Sequence, residues 1–110
     1  MNIQHFEKGL SLNDQDIVKL ARKIGKLATY CKRVKDEGSF IRIESEQRDT
    51  EKRRDAMKVM VTVGLPKKIL RAESRRPDVM EAVDRCIEKL TPQLERYKNL
   101  HSSRRGESEE

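Results

Sequence analysis

The feature of this sequence with the clearest chemical meaning is a run of positive charge. The segment KLARKIGKLATYCKRVK, residues 19–35, contains seven Lys or Arg residues and no acid. An exposed helix face ordinarily mixes Glu with Lys, because opposite charges three or four residues apart stabilise each other. Uniform positive charge instead favours contact with a polyanion, whose phosphates attract cations and repel acids. We interpret the segment as a candidate binding surface; the alternative is an ordinary solvated face.

The overall charge balance agrees with this interpretation. The chain of 110 residues has 25 Lys and Arg against 19 Asp and Glu, a net charge of +6 and a pI of about 9.5. This excess favours nucleic acid or an anionic membrane surface as partner. However, no apolar run approaches the ~20 residues of a membrane span, and the N-terminus lacks the basic-then-apolar pattern of a secretory signal. We expect one cytoplasmic domain with no membrane partner.

Residues typical of catalysis or metal binding are sparse. Cys31 and Cys86 are far apart and fall on or beside apolar helical stripes, which favours two free thiols in the core. His5 and His101 lie near opposite ends of the chain, and no CxxC or HxxxH spacing occurs. A Gly-rich phosphate loop and a GxSxG motif are also absent from the sequence. These features predict a binding protein rather than an enzyme, with no cofactor and no small-molecule substrate.

The cations belong to a predicted amphipathic helix. Asn13 is a good N-cap, and Leu12 before it can pack against Ile17. Apolar residues then recur at helical spacing at Ile17, Leu20, Ala21, Ile24, Leu27, Ala28 and Cys31. The helix is expected to end before KDEGS, where Gly38 is a stop signal. Burial of the apolar stripe forces five cations outward together, namely Lys19, Arg22, Lys23, Lys26 and Arg33.

The rest of the chain predicts strands and a second helix. Met1 to Glu7 alternates weakly, and SFIRIESE, AMKVMVTVGL and KKILRAES alternate in the manner of half-buried strands. The second helix begins near Asp78, where Glu81 completes a capping box, and we expect Pro92 to kink it. This order predicts an α+β class: a two-layer β-α-β-β-β-α domain, a four-stranded sheet with two helices on one face. We place the domain at residues 1–101 and a polar, disordered tail at residues 102–110.

Three segments resemble one known family. IGKLATYCKRV, GLPKKILRAES and PDVMEAVDRCIEKLTPQLERYK are similar to the ribosome hibernation promoting factor and ribosome-associated inhibitor family, also called the sigma-factor modulation family. The resemblance runs from Ile3 to about Leu100, and we expect the short form of the family. It is most specific in the last segment, where nine residues keep the family spacing: Asp78, Ala82, Val83, Asp84, Lys89, Leu90, Gln93, Leu94 and Lys98.

The resemblance implies both a fold and a function. The fold would be similar to a double-stranded-RNA-binding domain. The protein would occupy the mRNA and tRNA channel of the small ribosomal subunit and inhibit translation during stress or stationary phase. Its partners would be the small subunit and its rRNA, and we expect the free protein to be monomeric. The matching positions imply rRNA binding by Lys23, Lys26, Lys89, Arg96 and Lys98, to which the helical face itself adds Lys19 and Arg22.

We expect the outer faces of the two helices to form one continuous basic surface. Four positions depart from the family pattern, because Pro92 replaces an Arg, Met80 a Tyr, Thr29 a basic residue and His5 an aliphatic one. Two other functions also fit the residues. One is a free-standing double-stranded-RNA-binding module that never engages ribosomes. The other is a protein-interaction module that meets an acidic partner through the same helices.

Overall fold

The computed structural model describes residues 2–32, 38–48 and 56–103, with side chains described up to residue 100. Its elements in chain order are β1 (Asn2–Lys8), α1 (Asp14–Gly25), α2 (Leu27–Tyr30), β2 (Phe40–Gln47), β3 (Met57–Leu65), β4 (Lys68–Arg76) and α3 (Val79–Ser103). Since α2 is one turn that continues α1, the predicted β-α-β-β-β-α order is confirmed. The last residues, 104–110, lie outside the described residues, so the proposed tail boundary stays a prediction.

The four strands form one mixed sheet in the order β1-β2-β3-β4. β1 and β2 are parallel, with Ile3 beside Ile41, whereas the other two strand pairs are antiparallel. A parallel pair requires a crossover connection, which α1 and α2 supply. β3 and β4 need only a tight turn at Pro66 and Lys67. Side chains alternate between the two faces, and one face carries the buried aliphatic residues: Ile41, Ile43, Val59, Val61, Val63, Leu70 and Ala72.

The helices cover this apolar face and complete a single core. Their buried residues are Leu20 and Ile24 of α1, Leu27 and Ala28 of α2, and Val79, Ala82, Val83, Cys86, Leu90, Leu94 and Tyr97 of α3. Full burial of one large aliphatic side chain contributes about 1.5–3 kcal/mol. The spacing of these residues therefore fixes which side of each helix faces the sheet. The charged residues are left on the helix sides that face away from the sheet.

The first helix is interrupted, although the pattern predicted one continuous helix. α1 ends at Gly25, Lys26 forms a turn, and α2 follows. A glycine inside a helix is about 1 kcal/mol less favourable than alanine. After Gly25 the Lys26 N–H bonds to the Lys23 carbonyl at 3.2 Å, the tighter spacing of a 3₁₀ turn. The chain segment from residue 33 to residue 37, which includes Arg33, lies outside the described residues.

The start of α1 is more exposed than its apolar pattern predicted. Ile17 is 44% exposed and Ala21 is also exposed. Burial along α1 begins only at Leu20, so the first turn projects beyond the core. The prediction that Ile17 and Ala21 belong to the buried stripe is therefore wrong. Ile17 lies before the covered part of the helix, and Ala21, about 100° around the helix from Leu20, lies at the edge of the buried side.

The predicted helix starts are confirmed. Asn13 Oδ1 accepts a hydrogen bond from the Asp16 N–H at 2.8 Å, and Asp78 Oδ2 accepts one from the Glu81 N–H at 3.2 Å. α3 continues through the exposed Pro92 as one helix, and the apolar residues before and after it stay buried. The apolar face thus remains inward on both sides of the proline, as predicted, while the kink itself stays a prediction. No helix in the described ranges is long and apolar enough to cross a membrane.

Candidate nucleic-acid interface

Four cations lie along one side of α1 and the turn that follows it. Lys19, Arg22, Lys23 and Lys26 have the i, i+3, i+4, i+7 spacing of a single helical stripe, which we name the α1 cation stripe. Lys19, Arg22 and Lys26 are exposed, and within the described residues none of their side chains makes a hydrogen bond or ion pair. These three cations are therefore available to an external anion.

Lys23 is the member of the stripe that already has a partner. Its Nζ donates to Asp84 Oδ1 of α3 at 2.8 Å, so this ion pair joins the two helices. The Lys23 side chain is 26% exposed and the Asp84 side chain 53%. A pair this accessible contributes at most about 1 kcal/mol, which a phosphate can offset by taking the place of the carboxylate. Lys23 can thus join the binding surface once a phosphate replaces Asp84 as its partner.

The predicted cations of α3 do not share one location. Lys89 Nζ donates to the Glu73 carbonyl of β4 at 2.6 Å, and Gln93 Nε2 donates to the Arg71 carbonyl at 3.3 Å. This side of α3 therefore covers the outer edge of β4, where strand carbonyls otherwise lack partners. Arg96, three residues after Gln93, is exposed on the same side. Lys98, nine residues after Lys89, is half-buried and lies about 180° around the helix.

An acidic stripe runs between the cations of the two helices. Glu81, Asp84, Glu88 and Glu95 recur at helical spacing along α3, and all four are exposed. Asp84 faces α1 through its bond with Lys23, whereas Lys89 faces β4. The carboxylates therefore separate Lys89 and Arg96 from the α1 cation stripe. Among the described side chains of α3, only the carboxylate of Glu88 forms an ion pair on the same helix, with Arg85 at 3.1 Å. Lys89 and Arg96 therefore lie on a different surface from the α1 cation stripe, and not on the one continuous surface that we expected.

The second surface includes two lysines that the sequence patterns did not single out. Lys67 and Lys68 of the β3–β4 turn and Arg96 of α3 line a cleft of about 200 Å³. In the sequence these lysines follow Pro66 and indicated only a turn. Their contribution becomes visible once α3 packs beside the turn, where the Tyr97 hydroxyl donates to the Pro66 carbonyl at 3.1 Å.

The chemically reactive groups of the core are closed to ligands. Cys31 and Cys86 are buried in the core as thiols and not as a disulfide, as predicted. Burial raises the pKa of the Cys86 thiol to about 11, and its Sγ donates to the Val59 carbonyl at 3.4 Å. His5 Nε2 lies 3.3 Å from Ser45 Oγ, but Ser45 is only 2% exposed. The Cys86 thiol therefore stays protonated at neutral pH, and the Ser45 side chain is almost closed to solvent.

Comparison with known proteins decides the family. The model of the Sigma 54 modulation protein / S30EA ribosomal protein family matches residues 4–101. The chain belongs to this family. A ribosomal subunit interface protein from Coxiella burnetii is similar in structure, with a TM-score of 0.72 and 26% identity, over 89% of this chain and 98% of that one. The N-terminal domain of Thermus thermophilus Protein Y has a TM-score of 0.70 and 21% identity, over 88% and 99% of the two chains.

Membership of the S30EA family makes this chain a ribosome-associated protein of the hibernation family. The seven predicted rRNA-binding residues fall into three groups by their exposure, their bonds within the fold and their position. Lys19, Arg22 and Lys26 are exposed without internal partners, Lys23 and Lys89 are bonded within the fold, and Arg96 and Lys98 lie on opposite sides of α3. Which of them contact RNA stays a prediction.

Proposed function

We propose that this protein binds the small ribosomal subunit in the channel that otherwise holds mRNA and tRNA, and that it inhibits translation there during stress or stationary phase. Its binding site there would be the rRNA of the small subunit, which the α1 cation stripe would contact first. The observation that carries the proposal is the exposure of Lys19, Arg22 and Lys26 on one acid-free stretch of helix in a chain of the S30EA family.

Backbone contact explains why such a stripe suits rRNA. From Lys19 to Lys26 the stripe extends about 10 Å along the helix, long enough to follow phosphates on the rim of an RNA groove. Phosphate contacts position a protein without reading base sequence, and folded RNA is recognised largely by shape. The proposed activity is therefore occupation of a site and not a chemical reaction. We place the protein in the cytoplasm, where it acts as a monomer.

Two alternatives use the same surface. A free-standing double-stranded-RNA binder would also need the α1 cation stripe, and so would a module for an acidic protein. Family membership favours the ribosome over both. The alternatives also predict different partners in the cell, so one fractionation separates them.

Sedimentation of a stationary-phase lysate, with and without nuclease, tests the proposal. We expect the protein to comigrate with small subunits or whole ribosomes and to be released when nuclease degrades the rRNA. Recovery with RNA in fractions that lack ribosomes would identify the free RNA-binding module. A complex of low mass that survives nuclease would identify an acidic protein partner.

A further inference from the structure

The cleft beside the β3–β4 turn combines a cationic rim with an apolar floor. Lys67 and Lys68 approach it from the turn and Arg96 from α3, and all three are exposed. Leu70 and Tyr97, which are 4% and 3% exposed, form the floor, and the 60% exposed Leu100 forms one wall. Among the described residues, no acid lines it. The cleft is thus built to receive a group that is both anionic and apolar.

Lys67 occupies a backbone conformation that lysine rarely adopts. Its φ is +64°, the only positive φ of a non-glycine residue in the described parts of the chain. Pro66 before it and this φ match a type II turn, whose third position ordinarily takes glycine because a Cβ is unfavourable there. The left-handed conformation costs about 1–2 kcal/mol for an L-residue. A non-glycine residue in such a conformation beside a cleft points to a functional position.

The geometry of the cleft is already fixed without a ligand. The Tyr97 hydroxyl bonds to the Pro66 carbonyl at 3.1 Å and so ties the turn to α3. Gln93, another lining residue, bonds to the Arg71 carbonyl of β4. Because turn, strand and helix are bonded to one another, the three cations project from fixed backbone positions around the opening.

The volume and the chemistry of the cleft limit the kind of group that it can bind. A cleft of about 200 Å³ is smaller than the roughly 300–1,000 Å³ of sites that hold a whole small-molecule ligand. It therefore suits one group of a larger molecule. An acidic peptide side chain would satisfy the lysines but would leave the exposed Leu100 uncovered. A nucleotide offers a phosphate to the lysines and a planar base to Leu100 and to the face of the Arg96 guanidinium.

We infer that this cleft binds a single unpaired nucleotide of the RNA partner, with the phosphate on Lys67 and Lys68 and the base between Arg96 and Leu100. The inference rests on the proposed function and adds to it a second contact, on the opposite side of α3 from the α1 cation stripe. It also predicts that removal of the Lys67 side chain weakens RNA binding but does not destabilise the fold.

Substitutions at Lys67 test the inference against purified small subunits at physiological salt. Lys67→Gly should raise Kd about tenfold, the loss of one charge-assisted contact. The melting temperature of this variant should stay the same or rise by up to about 4 °C, because glycine has no Cβ and adopts a positive φ without strain. Lys67→Arg keeps the charge and should keep the wild-type Kd. Lys8→Gln removes one exposed charge from β1 and should change Kd less than about twofold.

The outcomes separate the inference from the function on which it rests. If the wild-type protein does not bind subunits, the proposed function fails. If the wild type binds and Lys67→Gly binds equally well, only the nucleotide site fails. A lower melting temperature for Lys67→Gly would also overturn the inference, because the lysine would then stabilise the turn.

Photocrosslinking identifies the class of occupant. A benzoylphenylalanine at position 100, whose native Leu100 is exposed at the cleft wall, should crosslink to rRNA and give a nuclease-sensitive product. The same group at Val18, exposed on α1 beside the stripe, is the positive control. A crosslink from position 100 to a ribosomal protein would overturn the assignment in favour of an acidic peptide. A crosslink from position 18 alone would also overturn it.

Discussion

Lys23 illustrates at the residue scale how a charge inferred to be free can be engaged within the fold. Helical spacing placed it on the outer side of the first helix, and the structure joins it to Asp84 at 2.8 Å. The sequence contains both residues, but they are far apart in the chain, and no local pattern brings them together. The affinity of the α1 cation stripe for phosphate therefore depends on a carboxylate contributed by another helix.

Neutralising that carboxylate should strengthen RNA binding. Asp84→Asn frees Lys23 and removes one negative charge beside the stripe, so we expect Kd for small subunits to fall about threefold to tenfold, and stability to change by about 1 kcal/mol or less. Glu44→Gln, on the opposite face of the sheet, removes the same charge at a distance and is the matched control. Equal effects of the two substitutions on Kd would mean that Lys23 does not contact phosphate.

Cys86 gives a prediction about pH. Burial raises the pKa of its thiol from 9.0 to about 11 in the folded protein. The fold therefore favours the neutral thiol, and this stabilisation is fully present below pH 9 and is lost as the pH rises through about 11. Urea unfolding of the wild type and of Cys86→Ala should show a stability difference that shrinks from pH 9 to pH 11. A difference that does not change with pH would contradict a buried neutral thiol.

At the scale of the elements, local patterns predicted most of the architecture. Alternation identified the buried residues of β2 to β4, and the caps at Asn13 and Asp78 marked the helix starts. Periodicity also identified the buried side of α3. It could not tell which flank of α3 meets α1 and which meets β4, because that depends on packing between distant segments. The division of the basic surface follows from this orientation, and so does the cleft at Lys67.

Substitution of Pro92 tests how much this proline destabilises α3. Pro92 lies inside α3 and has no N–H to bond to the Glu88 carbonyl. An interior proline costs about 3 kcal/mol relative to alanine. Pro92→Ala should therefore raise the free energy of unfolding by up to about 3 kcal/mol and leave ribosome binding unchanged. Pro92→Arg should raise stability similarly and also tighten binding, because it adds a cation to the exposed side of α3.

Urea denaturation and subunit binding measure the two effects of Pro92 separately. A drop in stability for both variants would show that the packing of α3 requires the proline geometry. Unchanged binding by Pro92→Arg would remove the outer side of α3 from the RNA contact.

For the whole molecule, the net charge of +6 is less informative than where the charges lie. Among the described residues, cations lie in the α1 cation stripe, on the β4 side of α3, and on the sheet face that the helices do not cover, where Arg42 lies over the Phe6 ring at 5.5 Å. Composition indicated a polyanionic partner, and it gave no means of ranking these three surfaces. Only the tertiary structure distinguishes cations that are free from those bonded within the fold.

Salt dependence tests whether phosphate contacts dominate binding. The logarithm of the association constant should fall linearly with the logarithm of salt concentration, with a slope of about −0.7 to −0.9 for each phosphate neutralised. Three free cations of α1 predict a total slope of about −2 to −3 from this helix alone. Titration at several KCl concentrations measures the slope. A nearly flat response would indicate that apolar or base contacts supply the affinity.

The central claim is that the α1 cation stripe, and not net charge, binds ribosomal RNA. Two triple variants test it: Lys19, Arg22 and Lys26 changed to Gln, and Lys8, Arg42 and Lys58 on the opposite sheet face changed to Gln. Each variant lowers the net charge from +6 to +3, and circular dichroism checks that both stay folded. Cosedimentation with purified small subunits at physiological salt is the measurement. We predict that the first variant loses binding and the second weakens it only slightly, through the screened long-range field; equal losses would contradict the claim.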